Sequence, residues 1–197
     1  WALIASRLGQ DQGFETLITS AFLRGGFWHL GDNKIFFHIY DDNLEREMGH
    51  GKFLCFYLLC ALAAGVVQMV SDTEASFQAV GSSGAVAGVM GGYLLLYPKA
   101  KIDVLFIFVI FFKIFSLPAW IILGFWFALQ LFNGVLVPSD AARVAYWAHI
   151  GGFVTGLLLC WPHFQRQRGS NFWRATDGHP PHPDAEYRLS NSRIFKI

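Results

Sequence analysis

Charge is what this sequence has least of. Asp, Glu, Lys and Arg make up 15% of its 197 residues, against about 25% in a water-soluble domain. The deficit is concentrated. Phe53 to Val70 is a run of 18 residues without a single charge, close to the ~20 that a helix needs to cross hydrocarbon. Several such runs follow one another, which points to a polytopic membrane protein. Neither sign of charge is in excess either: a formal net charge of +1 leaves no basic footprint for nucleic acid. Cysteine is scarce too. Cys55, Cys60 and Cys160 each lie inside an apolar run, which excludes a disulfide framework and offers no metal-ligand spacing, so no metal or cofactor is expected. The first residue is Trp rather than Met and no signal peptide is visible, so the native start is expected upstream.

What is present is apolar surface, 54% of residues, and aromatic rings, 17%. These fall into an all-α pattern. Residues 1–25 mix apolar, polar and turn residues and are read as an outer loop with short interfacial helices. Helices are expected at about 27–43, 51–70, 83–97, 116–136 and 145–161, with "DDNLEREMGHGK" as a polar loop between the first two. The apolar stretch from Ile102 to Val137 is too long for one span. Lys113 and Pro118 divide it, leaving 102–115 as an interfacial or re-entrant segment. Residues 162–197 turn polar and carry Pro180, Pro181 and Pro183, so a disordered cytoplasmic tail is expected. Arg46, Lys52, Lys99, Lys101, Arg166 and Arg168 flank alternate loops. Basic loops stay inside, so the acidic loop 71–80 faces outside.

The run "AVGSSGAVAGVMGGYLLLYP", Ala79 to Pro98, is uncharged yet opens on glycines and serines. A helix of 15 residues is roughly 22 Å long against a hydrocarbon core of about 30 Å. Its inner end is pinned by Tyr97, Pro98 and Lys99, so the serine end is sunk, with Ser83 roughly 8–10 Å below the outer surface. Non-helical backbone at that depth needs protein or a watery cavity around it. His149, near the outer end of the last helix, lies roughly 5–8 Å deep. His29 and Asn33, four residues apart on one helical face, reach a comparable level in the first helix. Gly84, Gly88, Gly91 and Gly92 form a small-residue stripe on the short helix, and Gly152 and Gly156 a pair one turn below His149. Such stripes let backbones approach closely in lipid. GxxxG by itself mostly means packing, but a Ser and a His at matched positions on the two striped helices shift that balance.

Intramembrane polar residues are functional suspects by default. A serine hydroxyl becomes a nucleophile when a base takes its proton. His149 can be that base, since burial disfavours imidazolium. The free backbone N–H of Ser83 at a helix N-terminus, the Asn33 amide and the His29 ring can hold an oxyanion. Ser82 and Ser83 are nearly interchangeable on these grounds. No buried carboxylate is evident as a third member, and Asp32 points about 100° away from Asn33 on a helix.

These residues resemble the rhomboid intramembrane serine proteases. "GSSG", Gly81 to Gly84, is similar to the family's GxSG with Ser83 as nucleophile, which is what selects Ser83 over Ser82. "AHIGGFVTG", Ala148 to Gly156, is similar to AHxxGxxxG with His149 as base. His29 and Asn33 match the HxxxN of the oxyanion site, and "LEREMGHGKF" resembles the Glu-containing loop after the second core helix. The resemblance covers roughly residues 1–161. It implies a rhomboid-like bundle with five of six core helices present, the first being expected upstream. Arg24, Asp32, Asp41 and Ala87 depart from common family residues; Ala87 stands where some relatives stack an aromatic on the catalytic His. The resemblance implies cleavage of single-pass transmembrane substrates near the outer boundary of the bilayer, with no cofactor. It also implies residence in the inner membrane of a bacterium. The alternative from another class is a catalytically inactive rhomboid-like protein that binds membrane proteins. Oligomeric state is left open.

Overall fold

The computed structural model describes residues 27–71, 82–108, 111–137, 144–167 and 169–180. The expected outer loop 1–25, the loop carrying Gly81 and the end of the tail lie outside the described residues. Among the described residues six helices and one pair of strands follow in order: α1 Phe27–Met48, α2 His50–Ser71, α3 Ser82–Leu96, β1 Lys101–Phe108, β2 Phe111–Pro118, α4 Ala119–Leu136, α5 Tyr146–Arg166 and α6 Ser170–Thr176.

α3 is the axis of the bundle. It is apolar all round, and a helix of that kind must be enclosed. All of it except Ser83, Leu94 and Leu95 is buried. α2 runs antiparallel along it, with Ala64 against Gly84, Cys60 against Gly88 and Phe56 against Gly92. α5 runs parallel to it, through the pairs Gly84–Gly152 and Gly88–Gly156. A Cβ added to Gly152 would collide with the Gly84 carbonyl oxygen, and one on Gly156 with the Gly88 carbonyl oxygen. Only glycine permits this approach, so the α3–α5 spacing is dictated by the absence of side chains. α1 covers another side of α3, with the Tyr40 and Tyr93 rings edge-on at 5.0 Å. α4 packs on α5 through Phe127 and Phe153, stacked at 4.5 Å.

The outward faces are apolar as well. Phe125, Phe132 and Val135 on α4, Leu54 and Val70 on α2, and Leu158 on α5 are all more than half exposed. A belt of that kind suits lipid rather than water. α2 and α4 are long and apolar enough to cross a membrane, and α3 is a shorter apolar helix.

Two sequence expectations are corrected, and one segment left open takes a definite form. "DDNLEREMGHGK" is not a loop. α1 continues through Met48 and α2 restarts at His50, with Gly49 alone between them at φ +82°. Leu44, Glu45 and Met48 are good helix formers, and the left-handed glycine ends the helix by donating its N–H to the Glu45 carbonyl at 2.7 Å. The segment left open as interfacial or re-entrant forms an antiparallel hairpin in register from Lys101↔Pro118 to Phe108↔Phe111. Its Val, Ile and Phe content favours strand, and the Ser116 hydroxyl donates to the Asp103 carboxylate across it.

The second correction concerns the tail, of which residues 162–167 and 169–180 are described and form the end of α5 and a further helix. α5 runs past Pro162 to Arg166, because Glu47 accepts from the Gln167 amide at 2.7 Å and lies 3.3 Å from His163 Nε2. α6 then folds back under the bundle. Phe172 is buried beside Tyr97, and the Trp173 indole N–H donates to the Leu95 carbonyl at 3.0 Å. Basic Arg46, Lys52, Lys99, Lys101 and Arg166 therefore gather at this end. Ser71, Ser82, Leu136 and Tyr146 mark the opposite one.

Candidate active site

The serine end of α3 meets the start of α5. Ser82 and Ser83 open α3, where backbone N–H groups have no carbonyl one turn back to bond. Ser82 is buried and Ser83 half-buried. α5 begins at Tyr146 and reaches His149, also half-buried, at its fourth residue. The two helices touch between them: a Cβ on Gly84 would lie 3.3 Å from the Ala148 carbonyl oxygen. Ser83 precedes Gly84 and His149 follows Ala148, so both flank the same crossing at the same end of the bundle.

The surroundings of His149 come from two further helices. Its Nδ1 is 2.9 Å from Gln130 Oε1 on α4. The Trp126 ring, one turn earlier on that helix, lies 5.7 Å from the imidazole centroid to centroid. Trp126 and Gln130 share a face because they are four apart. On α2, Gln68 is buried at 2% exposure and its Oε1 accepts the Ala148 N–H at 3.0 Å. That N–H belongs to the first turn of α5, whose donors lack intrahelical partners, so Gln68 fastens the start of the helix one residue before His149.

Asn33 lies at the seventh position of α1 and is half-buried. α1 runs parallel to α3, with Tyr40 against Tyr93 and, further inward, the Tyr97 hydroxyl donating to Glu47 at 3.3 Å. Asn33 is seven residues, about 10 Å, ahead of Tyr40, and Ser83 ten residues, about 15 Å, ahead of Tyr93. The two thus sit within about one turn of the same level. His29 is one turn earlier in α1; its side chain, like that of Asp32, lies outside the described residues. Ala87, where the resemblance allows an aromatic, is fully buried, and a ring that does lie against His149 is Trp126.

Comparison with known proteins gives this arrangement its context. Residues 11–166 match the family profile of the Rhomboid domain. The chain belongs to the rhomboid family. "Rhomboid protein 1, mitochondrial" of Saccharomyces cerevisiae is 30% identical over 152 residues, covering 74% of this chain and 41% of the relative. RHOMBOID-like protein 5 of Arabidopsis thaliana is 30% identical over 150 residues, covering 73% and 42%. A Bacillus subtilis rhomboid protein is 32% identical over 80 residues, covering 41% and 40%. The chain spans about two fifths of the length of these relatives. No solved structure gives a match. Membership makes this rhomboid an integral membrane protein with the helical bundle of a family of intramembrane proteases.

Sequence reasoning missed Gln68, Gln130 and Trp126. Each glutamine is a polar group inside an otherwise apolar helix, and the rule that singled out Asn33 and His149 applies to both.

Proposed function

We propose that this rhomboid is an intramembrane serine endopeptidase, with Ser83 as nucleophile and His149 as general base. The observation that carries this reading is the glycine-lined crossing that puts Gly84 against Ala148 and so flanks one point with Ser83 and His149. His149 takes the Ser83 hydroxyl proton as the oxygen attacks the scissile carbonyl. The oxyanion is met by the Ser83 backbone N–H, assisted by the α3 dipole, and by the Asn33 amide and His29 ring. His149 then returns the proton to the leaving amine, and water hydrolyses the acyl-enzyme by the same route in reverse.

The substrates are single-pass transmembrane proteins cut near the end of the bilayer where α3 begins. A helical peptide bond is shielded by its own turn, so substrates with helix-weakening residues are favoured. The lipid-facing belt supports the multi-pass arrangement. A bacterial inner membrane, expected from sequence, is not supported by relatives that include a mitochondrial protein and a plant one; the proposal is limited to an integral membrane site.

The test is cleavage of a single-pass substrate by purified protein in detergent, with fluorophosphonate labelling alongside. Ser83→Ala and His149→Ala should each abolish cleavage, and Ser83→Ala should remove the label. Asn33→Ala should lower kcat by about 10²–10³ if that donor acts alone. Cleavage by Ser83→Ala at the wild-type rate would overturn the reading.

A further inference from the structure

A base must present a lone pair to its nucleophile, and imidazole has two nitrogens. In the neutral ring one carries hydrogen and the other does not, and the hydrogen bond made by one nitrogen decides the state of the other. Serine enzymes with a third member settle this with a carboxylate, which holds the ring in the tautomer that leaves the second nitrogen free. A carboxylate at this depth would be a buried charge in lipid, costing several kcal/mol. The acidic side chains that the structure describes lie elsewhere: Asp41, Asp42, Glu45 and Glu47 in the inner half of α1, Asp103 in the hairpin and Asp177 after α6; that of Asp32 is outside the described residues.

At the position a carboxylate would take, α4 supplies a carboxamide. Gln130 is buried at 9% exposure in the middle of an apolar helix, with its Oε1 2.9 Å from His149 Nδ1. A carboxamide oxygen only accepts, so this contact requires hydrogen on Nδ1. Nε2 is then left with its lone pair.

We propose that Gln130 is the positioning residue for His149: its carboxamide oxygen accepts the hydrogen bond of Nδ1–H and thereby fixes the tautomer and ring orientation that leave Nε2 as the base. Gln130 touches neither substrate nor reacting atom in this role; it acts through the imidazole. The inference rests on the Ser83–His149 reading above. Two features of the structure make the device specific. Trp126, one turn away on the same face of α4, limits rotation of the imidazole. Gln68 fixes the backbone at Ala148 from the other side. The ring is thus held through its edge by α4 and through its backbone by α2, and a neutral acceptor does the orienting without placing a charge in the membrane.

The experiment combines kinetics with a spectroscopic readout. In wild-type protein with 15N-labelled histidine, the His149 signals are identified by their loss in His149→Gln. They should show a protonated Nδ1 and an unprotonated Nε2 at neutral pH. Gln130→Met, close in size and without the acceptor, should lower kcat roughly 10- to 100-fold with KM within about twofold. Gln130→Glu, which keeps an acceptor oxygen in place, should recover most of the rate. A wild-type tautomer with hydrogen on Nε2 overturns the proposal even if no Gln130 variant folds. So does a Gln130→Met enzyme with wild-type kcat while Ser83→Ala is dead, which leaves the dyad reading intact. Cleavage by Ser83→Ala is the separate result that removes the dyad and the positioning role together.

Discussion

At Gly152 the spacing of two helices hangs on one missing carbon. Its Cβ would enter the Gly84 carbonyl, and backbone cannot move aside as a flexible side chain can. Gly152→Val should therefore destabilise the fold by at least the 1–3 kcal/mol typical of overpacking, read as a lower thermal midpoint in detergent. Because the same crossing is flanked by Ser83 and His149, the proposed dyad predicts that fluorophosphonate labelling of Ser83 falls more steeply than the folded fraction. The neighbouring serines separate at this scale too. Ser82 is buried and Ser83 half-buried, so Ser82 has little surface to offer a substrate. Ser82→Ala should keep most of the activity that Ser83→Ala loses, measured in the same cleavage assay. Sequence reasoning reached Ser83 through the motif alone, because two adjacent hydroxyls are alike until burial distinguishes them.

Among the elements, the one-residue turn between α1 and α2 rests on Gly49. Its φ of +82° is open to glycine and costs an L-residue about 1–2 kcal/mol. Gly49→Ala should lower stability by about that amount in a detergent unfolding titration. α6 offers a contrast between two kinds of contact. Phe172 is buried beside Tyr97, whereas Lys99 and Asp177 form an exposed ion pair at 2.7 Å. The lysine holds the Asp177 carboxyl below the usual carboxylate range. A lowered carboxylate contributes above its ordinary range and loses that contribution as pH falls through the lowered value; for a pair so exposed the contribution is small. Limited proteolysis should thus release α6 in Phe172→Ala and leave it protected in Asp177→Asn at neutral pH. The sequence reading put this helix in a disordered tail, because a short polar segment carries no periodicity that announces docking. Phe172 and Trp173 matter only once the inner end of α3 is there to receive them.

For the molecule as a whole, the two ends and the belt between them are distinct. One end collects Arg46, Lys52, Lys99, Lys101 and Arg166, the other carries the candidate site, and the belt is apolar. Phe125, 67% exposed near the centre of α4, should tolerate Leu, while Phe125→Arg should lower membrane insertion by an amount near the 2.5–3.5 kcal/mol for arginine at mid-bilayer, read as the fraction recovered in the membrane. This level was legible in advance. Uncharged runs of spanning length, the short glycine-rich helix and the three polar motifs are local patterns, and hydrocarbon constrains local patterns strongly because backbone polar groups there must pair within the helix. The sequence by itself therefore determined the membrane class, the apolar helices and the identities of Ser83, His149, Asn33 and His29 as candidates. Only the tertiary structure decided what surrounds His149. Gln130 and Gln68 stand 19 and 80 residues from their hydrogen-bond partners. Whether such groups meet depends on how far each helix is rotated and how deep it sits, which packing settles and periodicity along one strand of sequence does not record.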